Sequence, residues 1–291
     1  MAISTTGMQG RICLVTGGSG GIGKETALGL ARQGATVVLT SRDRSRGEAA
    51  VADIRARSGN QAVSMMAADL SSQASIRQLA QEFIATGQPL HVLVNNAGAV
   101  FSKRMFTVDG IEMTFALNHL AYFLLTQLLL PVIIDSGTAD RATRIVNVSS
   151  DAHRGGKINF DDLQSANRYR GFNAYAQSKL ANVLFTYELA RRLAGAHVTA
   201  NAVHPGFVAS GFGMNNRGFV PILIRMLSVV ARTPERGAQT SIYVASSAEV
   251  EGVSGKYFAD CKEVRSSNES YDEAAAGRLW QVSAELTGVE E

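Results

Sequence analysis

The chain has 291 residues, of which 46% are hydrophobic and 18% charged, values that are typical of a folded globular protein and exclude a disordered chain or a fibre. Its formal net charge of +3 is too small for the basic footprint of a nucleic-acid-binding protein, so we expect no nucleic-acid partner. The two cysteines lie far apart and no Cys/His cluster has metal-ligand spacing, which favours a reducing compartment and predicts no metal site.

The N-terminal residues 1–10 contain no apolar segment of the kind found in signal peptides. We therefore expect neither a secretory signal nor a membrane anchor. The most apolar stretch, residues 123–134, is interrupted by Gln127 and Pro131 and is shorter than the roughly 20 residues that span a bilayer. The sequence thus predicts a cytoplasmic protein.

Predicted strands alternate with predicted helices along the whole chain. Short apolar runs without alternation are typical of parallel strands covered on both faces, and they occur at 12–15, 36–40, 62–66, 91–94, 144–148, 197–203 and 255–258. Apolar residues recur at helical spacing at 24–33, 44–57, 75–83, 108–130, 175–193 and 235–245. No linker divides the chain. We predict one α/β domain over residues 1–291, a Rossmann-type doubly wound, parallel seven-strand sheet with helices on both faces.

A glycine-rich turn, residues 16–23, joins the first strand to the first helix. Backbone N–H groups and the positive end of the helix dipole would meet a diphosphate there. Glycines allow the tight turn, the close approach of phosphate and the packing of helix on strand. The turn predicts a dinucleotide site with contacts from Gly17, Ser19, Gly20, Gly21, Ile22 and Gly23.

The end of the second strand indicates which dinucleotide binds. An acidic residue at this place would hold the ribose 2′-hydroxyl of NAD, but the sequence reads Ser41-Arg42. An arginine pairs with a 2′-phosphate through two parallel hydrogen bonds. We therefore predict NADP(H), and NAD(H) stays the alternative because Asp43 could reach a ribose hydroxyl.

Two further strand ends supply candidate cofactor contacts. Asp69 and Leu70 follow the third strand and are placed to line the adenine, Asp69 by its carboxylate and Leu70 by its backbone. The fourth strand ends in Asn-Asn-Ala-Gly, and we expect Asn95, Ala97 and Gly98 to support the cofactor ribose.

Tyr175 and Lys179 are one helical turn apart and project from one face of their helix. A phenol has an ordinary pKa near 10, and an ammonium one turn away favours the phenolate. Ser149 and Ser150 end a neighbouring strand and offer a hydroxyl to the same place. The local sequence does not choose between these two serines.

With these motifs in their order, the sequence resembles the short-chain dehydrogenase/reductase family over nearly the whole chain. The resemblance implies that Tyr175 exchanges a proton with the substrate oxygen and that Ser150, rather than Ser149, holds that oxygen. It implies that Lys179 binds the nicotinamide ribose and lowers the pKa of Tyr175. It also implies that Asn118 anchors a water that links Lys179 to solvent. Further cofactor contacts are implied for Pro205, Gly206, Val208 and Ser210.

The long segment between Ser150 and Tyr175, the run of residues 178–185 and the tail around Trp280 resemble the retinol dehydrogenase-like branch of that family. This resemblance implies a lipophilic substrate. The apolar segment 207–232 is interpreted as a lid over it. His153 could touch substrate, although a loop histidine with its own hydrogen bonds is the favoured interpretation, and His119 is expected to point away from the site.

The helices around Asn118 and Tyr175 carry more apolar residues than one core face needs, and family members commonly pair these helices. We therefore predict a homodimer or homotetramer. The residues concerned are Tyr122, Phe123, Leu125, Leu128, Leu129, Leu184, Phe185 and Tyr187.

The sequence as a whole predicts an NADP(H)-dependent oxidoreductase that transfers hydride between nicotinamide and a lipophilic aldehyde or ketone, or the corresponding alcohol. Two alternatives stay open. One is an NADP(H)-sensing binding protein in which catalysis is incidental, and the other is an NAD-linked alcohol dehydrogenase.

Overall fold

Eight strands form one sheet in the part of the chain that the computed structural model describes, residues 7–206 and 232–290. The order across the sheet is β3-β2-β1-β4-β5-β6-β7-β8. The strands are β1 (Ile12–Val15), β2 (Thr36–Ser41), β3 (Val63–Ala67), β4 (Val92–Asn95), β5 (Thr143–Val148), β6 (Val198–His204), β7 (Tyr257–Ala259) and β8 (Lys262–Glu263). Strands β1 to β7 are parallel, so the predicted fold class is confirmed.

The eighth strand was not predicted. It is two residues long and pairs antiparallel with β7 across a tight turn at Asp260 and Cys261, both of which have positive φ. A strand of this length has no periodic pattern in the sequence, so only the turn geometry defines it.

Helices cover both faces of the sheet. In the described ranges they are α1 (Gly21–Arg32), α2 (Arg44–Ser58), α3 (Gln73–Ala85), α4 (Met113–Asp135), α5 (Gly171–Arg192), α6 (Pro234–Ser246) and α7 (Glu273–Thr287). One core cluster packs α1, α2 and α6 on one face, and another packs α3, α4, α5 and α7 on the other. The strand order reverses between β1 and β4, and in such sheets ligands bind at the carboxyl edge near this reversal.

Helix α4 begins later than predicted and contains an irregular turn. Phe106 and Glu112 form an isolated antiparallel bridge, and Gly110 between them has φ +74°. The Glu112 carboxylate then accepts hydrogen bonds from the N–H groups of Thr114 and Phe115 and caps the helix. Residues Ala116–Leu120 are π-helical, a feature that is frequent at functional sites.

The C-terminal helix α7 was not predicted as an element, and it changes the interpretation of the apolar helices. Trp280 packs edge-on against Phe123, with ring centroids 5.1 Å apart, and lies 5.8 Å from the Phe185 ring. The residues on which the oligomer prediction was based are buried within this one chain, apart from Leu128, which is partly buried: Tyr122, Phe123, Leu125, Leu129, Leu184, Phe185 and Tyr187. The apolar residues that motivated the oligomer prediction are therefore packed within this chain, and the oligomeric state itself stays a prediction.

Helix α4 is the one helix in the described residues that is long and apolar enough to cross a membrane by length and composition. Within the most apolar 18-residue stretch of this helix, 61% is buried inside the protein. A core helix passes the same test, so this length and composition are weak support for a membrane span.

Candidate active site

The hydroxyls of Ser150 and Tyr175 meet at the carboxyl edge of the sheet. Ser150 follows β5, and Tyr175 lies in the second turn of α5, so the two elements bring residues far apart in sequence together. Their side chains are hydrogen-bonded, and this bond favours the Tyr175 phenolate. Ser150 also accepts a hydrogen bond from the Ala152 N–H at 3.2 Å, which fixes its position at the start of a short 3₁₀ turn.

The structure assigns different surroundings to the two neighbouring serines. Ser149 is 1% exposed, and its hydroxyl donates to the backbone carbonyl of Lys179 at 2.7 Å. Ser150 is partly exposed and faces Tyr175. The choice that the sequence left open therefore follows from strand geometry, because consecutive residues at a strand end point in opposite directions.

Lys179 is held beneath the crevice by the backbone of β5. Its Nζ donates to the Val148 carbonyl at 3.0 Å and lies 5.6 Å from the centre of the Tyr175 ring. The residue is 3% exposed, and burial lowers the pKa of its ammonium to about 7. A Cβ at Gly98 would lie 3.1 Å from Asn118 Oδ1 and 3.5 Å from this Nζ, so Gly98 lies directly beside the ammonium.

The pKa of Tyr175 is raised, which differs from the expectation that Lys179 lowers it. Burial raises the pKa of the phenol to about 12, and the hydrogen bond to Ser150 opposes this effect. Both partners of the Tyr175 and Lys179 pair are buried, and burial disfavours the phenolate and the ammonium alike. In the protein alone, desolvation therefore outweighs the attraction between the two groups.

Asn118 contacts the cofactor-side loop rather than the reacting hydroxyls. Its Oδ1 accepts from the Ala99 N–H at 2.8 Å, and its Nδ2 donates to the Ala99 carbonyl at 2.9 Å and to Ser178 Oγ at 3.0 Å. These bonds attach α4 to the chain that follows Gly98. The side chain thereby fixes the loop beneath the expected ribose position.

The glycine-rich turn has the geometry of a phosphate cradle. Gly17 has φ +66°, a conformation that favours glycine, and a Cβ at Gly23 would come within 2.4 Å of the Gly17 carbonyl. Gly20 is the N-cap of α1 and has no side chain to occupy the first N–H groups of the helix. These features fit a dinucleotide diphosphate. The remaining predicted contacts of this turn, Ser19, Gly21 and Ile22, are partly exposed there.

The basic residues that follow β2 include one that the sequence interpretation missed. Arg42 is exposed after β2, and Ser41 is buried with its hydroxyl donating to the Asp43 carbonyl at 2.8 Å. The Asp43 carboxylate caps α2 by accepting from the Arg46 N–H at 3.0 Å. A Cβ built on Gly20 would lie 3.8 Å from Arg46 Nη2, so the Arg46 guanidinium borders the phosphate turn. Its place in the first turn of α2, four residues after Arg42, was the available signal.

Two of the side chains predicted to contact the cofactor, those of Asp69 and Asn95, have other partners. Asp69 is exposed, and its Oδ1 accepts from the Ser71 N–H and hydroxyl within its own turn. The Leu70 side chain packs in the core, and the contact expected from its backbone stays a prediction. Asn95 is 0% exposed, and its Nδ2 donates to Thr126 and Asn147 inside the sheet. The prediction that Asn95 supports the ribose is corrected, because its side chain points into the protein interior.

The loops that follow β4 and β6 also lie at the carboxyl edge of the sheet, beside the candidate site. Ala97 is partly exposed and Gly98 is exposed beside Lys179, and their contact with the cofactor ribose stays a prediction. Pro205 and Gly206 follow β6 at the same edge. Val208, Ser210 and residues 207–231 of the predicted lid lie outside the described residues.

His153 is a buried structural histidine beside Ser150. Its Nδ1 lies 2.7 Å from the Ser150 carbonyl, and its Nε2 accepts from the Ser267 N–H at 3.0 Å. Because a carbonyl only accepts, Nδ1 carries the proton and the ring is neutral. Burial also lowers the pKa of the His153 ring, which favours the same neutral form. This geometry agrees with the favoured interpretation of a loop histidine with its own hydrogen bonds.

Metal ions have no candidate site in the described part of the chain, where no group of three or more His, Cys, Asp or Glu side chains could hold one. The edge instead brings together a hydroxyl pair, a buried ammonium and a phosphate cradle. Such a set can bind a dinucleotide and exchange a proton with an oxygen placed between Ser150 and Tyr175.

Comparison with known proteins finds one family over most of the chain. The family model described as short chain dehydrogenase matches residues 11–219. Retinol dehydrogenase 12 of Mus musculus is 46% identical over 290 residues, which cover 99% of this chain and 90% of that protein.

Two solved structures are similar over nearly the whole chain. The crystal structure of an uncharacterised protein from Mycobacterium paratuberculosis has a TM-score of 0.78 and 35% identity, and the match covers 97% of this chain and 95% of that one. The NADP active-site complex of RhlG from Pseudomonas aeruginosa has a TM-score of 0.71 and 29% identity, with coverages of 93% and 100%.

Proposed function

The chain belongs to the short chain dehydrogenase family, and from this premise we propose an NADP(H)-dependent oxidoreductase acting on a lipophilic aldehyde or ketone, or the corresponding alcohol. The observation that carries the proposal is the hydrogen-bonded pair of Ser150 and Tyr175 beside the buried Lys179 ammonium. A hydroxyl pair of this kind can hold a carbonyl oxygen and supply its proton.

The nicotinamide cofactor, when bound, supplies or accepts the hydride. Tyr175 gives a proton to the substrate oxygen during reduction and takes one from the alcohol during oxidation. Ser150 donates a hydrogen bond to the same oxygen and stabilises the negative charge that develops on it. The positive charge on Lys179 would stabilise the Tyr175 phenolate, and a bound cationic nicotinamide would act in the same direction.

The preference for NADP(H) is supported by charge at the end of β2. Arg42 is exposed there and Arg46 borders the phosphate turn, while the Asp43 carboxylate is engaged as the α2 N-cap. Lys24 contributes less, because it is paired with Asp53 at 2.8 Å. A structural relative, RhlG, was solved as an NADP complex, which gives the same preference indirect support.

The cofactor proposal is tested by reversing charge. We expect Arg42→Asp to lower kcat/KM for NADPH by about 100-fold and to change kcat/KM for NADH little. The substitution removes a bidentate contact to the 2′-phosphate and puts a carboxylate in its place, which repels that phosphate. Arg44→Asp is the matched control, because Arg44 faces Glu48 on α2. An unchanged NADPH preference in Arg42→Asp would contradict the proposal and favour an NAD-linked enzyme.

Two observations support a lipophilic substrate. One is the name of a relative, retinol dehydrogenase 12, and the other is the apolar composition of segment 207–231. The test is an NADPH oxidation assay in which retinal, medium-chain aldehydes, quinones and steroid ketones are offered as substrates. The loss of absorbance of the reduced nicotinamide measures turnover. We expect turnover with a lipophilic member and little with short polar aldehydes.

Tyr175→Phe separates an enzyme from a cofactor-sensing protein. The variant keeps the ring and loses the hydroxyl, so an enzyme should bind NADPH with unchanged affinity and lose turnover by about 100- to 10,000-fold. Full turnover in Tyr175→Phe would refute the assigned role. Tight NADPH binding by wild type without turnover on any carbonyl would favour the sensing function.

Self-association and a cytoplasmic location without a membrane anchor stay predictions. A homodimer or homotetramer would have to use a surface other than the apolar face that α7 covers. Light scattering at micromolar concentration tests the first, and fractionation of expressing cells into membrane and soluble parts tests the second.

A further inference from the structure

A buried chain of polar side chains runs from helix α7 to the proposed site. Ser283 Oγ lies 3.0 Å from His119 Nε2, and His119 Nδ1 lies 3.2 Å from Asn182 Oδ1. Asn182 Nδ2 then donates to the Asn118 carbonyl at 2.8 Å. All four residues are 0% exposed, and buried polar groups of this kind are costly to leave without partners.

The chemistry of the partners fixes the orientation of the Asn182 amide and the tautomer of His119. Asn182 Nδ2 faces the carbonyls of Asn118 and, at 3.5 Å, Val148, and carbonyls only accept. Asn182 Oδ1 must then accept from His119, so Nδ1 carries the proton. Burial lowers the pKa of His119 to about 4, so the ring is neutral and its Nε2 faces the Ser283 hydroxyl, whose one proton also has the Leu279 carbonyl as an acceptor at 2.7 Å.

The two carbonyls that Asn182 contacts belong to the residues that build the site. The Val148 carbonyl accepts the Lys179 ammonium at 3.0 Å. The Asn118 carbonyl lies in the π-helical turn Ala116–Leu120, where the backbone departs from regular α-helical geometry. The Asn182 amide therefore lies between the backbone groups that place the Lys179 and Asn118 side chains.

We propose that Asn182, oriented by His119 and Ser283, is a positioning residue for Lys179 and Asn118, and that α7 thereby takes part in building the active site. The inference rests on the proposed oxidoreductase function. Loss of the amide releases the Val148 carbonyl from a second contact and frees the π-helical turn, so Nζ of Lys179 loses its fixed place relative to Tyr175. Misplacement of a catalytic group lowers the rate more than it lowers binding.

The first test is Asn182→Leu, which keeps the approximate shape and removes both hydrogen-bonding functions. We expect kcat to fall by about tenfold or more, with KM for NADPH and for the carbonyl within about twofold, because the loss concerns geometry in the transition state. Ser283→Ala removes a single hydroxyl at the far end of the chain and should lower kcat by about threefold.

Two further variants separate positioning from simple packing. Ser241→Ala is the matched control, because Ser241 is a buried α6 hydroxyl without a hydrogen-bond partner in the described residues, and its kcat should be unchanged. His119→Gln keeps one donor and one acceptor and should recover much of the kcat that His119→Leu loses. Equal losses in Ser241→Ala and Ser283→Ala would overturn the proposal, as would a folded Asn182→Leu with wild-type kcat.

A measurement that needs no turnover keeps the inference distinct from the proposed function. In the cofactor-free protein, NMR titration of the Lys179 side chain should give a lower pKa in Asn182→Leu than in wild type, because Nζ is no longer kept in its place on the Val148 carbonyl and the hydrogen bond that favours the ammonium weakens. An unchanged Lys179 pKa overturns the positioning role whatever the enzyme assay gives. Full turnover in Tyr175→Phe refutes the proposed function instead.

Discussion

Replacing Ser150 and Ser149 by alanine, one at a time, compares two adjacent hydroxyls with different surroundings. Ser150 shares a hydrogen bond with Tyr175 at the sheet edge, and Ser149 donates to the Lys179 carbonyl at 2.7 Å in the interior. The proposed chemistry needs the first hydroxyl, and the fold needs the second. We therefore expect Ser150→Ala to lower the rate and Ser149→Ala to lower the stability.

The magnitudes follow from what each hydroxyl contacts. Loss of one donor to a developing oxyanion lowers kcat by about 100- to 1,000-fold, which we expect for Ser150→Ala. In Ser149→Ala the buried Lys179 carbonyl loses a side-chain donor, and the free energy of unfolding falls by about 1–3 kcal/mol. For a protein of this size, that corresponds to a melting temperature lower by roughly 2–10 °C.

The assay is the same for both variants. Steady-state oxidation of NADPH with a lipophilic carbonyl gives kcat and KM, NADPH titration gives Kd, and thermal unfolding gives the melting temperature. Ser150→Ala should keep its melting temperature and its Kd for NADPH. Ser149→Ala should keep kcat within about tenfold of wild type, since its side chain does not reach the crevice.

A reversed pattern would refute the reasoning. If Ser149→Ala loses turnover and Ser150→Ala retains it, then the wrong hydroxyl has been assigned to the substrate oxygen. Equal, small effects in both variants would show that neither serine stabilises the transition state.

Three other perturbations test separate parts of the structure. Burial lowers the pKa of Lys179 to about 7, so the folded state holds fewer protons than the unfolded state above that pH. The free energy of urea unfolding of the cofactor-free protein should therefore rise by roughly 1–2 kcal/mol from about pH 7 to about pH 9, relative to Lys179→Met, and a flat difference contradicts this. His153→Leu removes the ring donor to the Ser150 carbonyl, which keeps the His153 backbone N–H, and leaves the Ser267 N–H without its ring acceptor. It should lower kcat by about tenfold, with recovery in His153→Gln, and equal losses in both variants count against the positioning. Trp280→Ala should lower the free energy of urea unfolding by about 3–5 kcal/mol, and a loss under about 1 kcal/mol means that α7 docks without it.

The strands and the site motifs were predictable because they depend on short-range rules. A continuous apolar run specifies a parallel strand, and a glycine-rich turn between strand and helix specifies a phosphate cradle. The β1 bounds agree with prediction, and α1 begins at Gly21, three residues before the predicted start, because the glycine-rich turn leads directly into it. Tyr175 and Lys179 share a helix face by their spacing alone.

Other features depend on contacts between segments far apart in sequence. The Asn95 side chain turns inward because Asn147, on the next strand, accepts its hydrogen bond. Arg46 borders the phosphate turn because α2 packs beside α1, a contact that sequence spacing does not contain. Helix α7 escaped prediction because its apolar face has meaning only once α4 and α5 form the surface that it covers.

The sequence by itself determined the fold class, the order of the strands and helices, and the phenol and ammonium that share one helix face beside a pair of candidate serine hydroxyls. Local spacing carries this information, because neighbours on one helix or strand have a fixed geometry. Only the tertiary structure decided which serine faces Tyr175, which amides point into the core, and how Lys179 and Tyr175 titrate. Burial and hydrogen bonds between distant residues decide these properties, since the cost of desolvating a charge depends on everything that surrounds it.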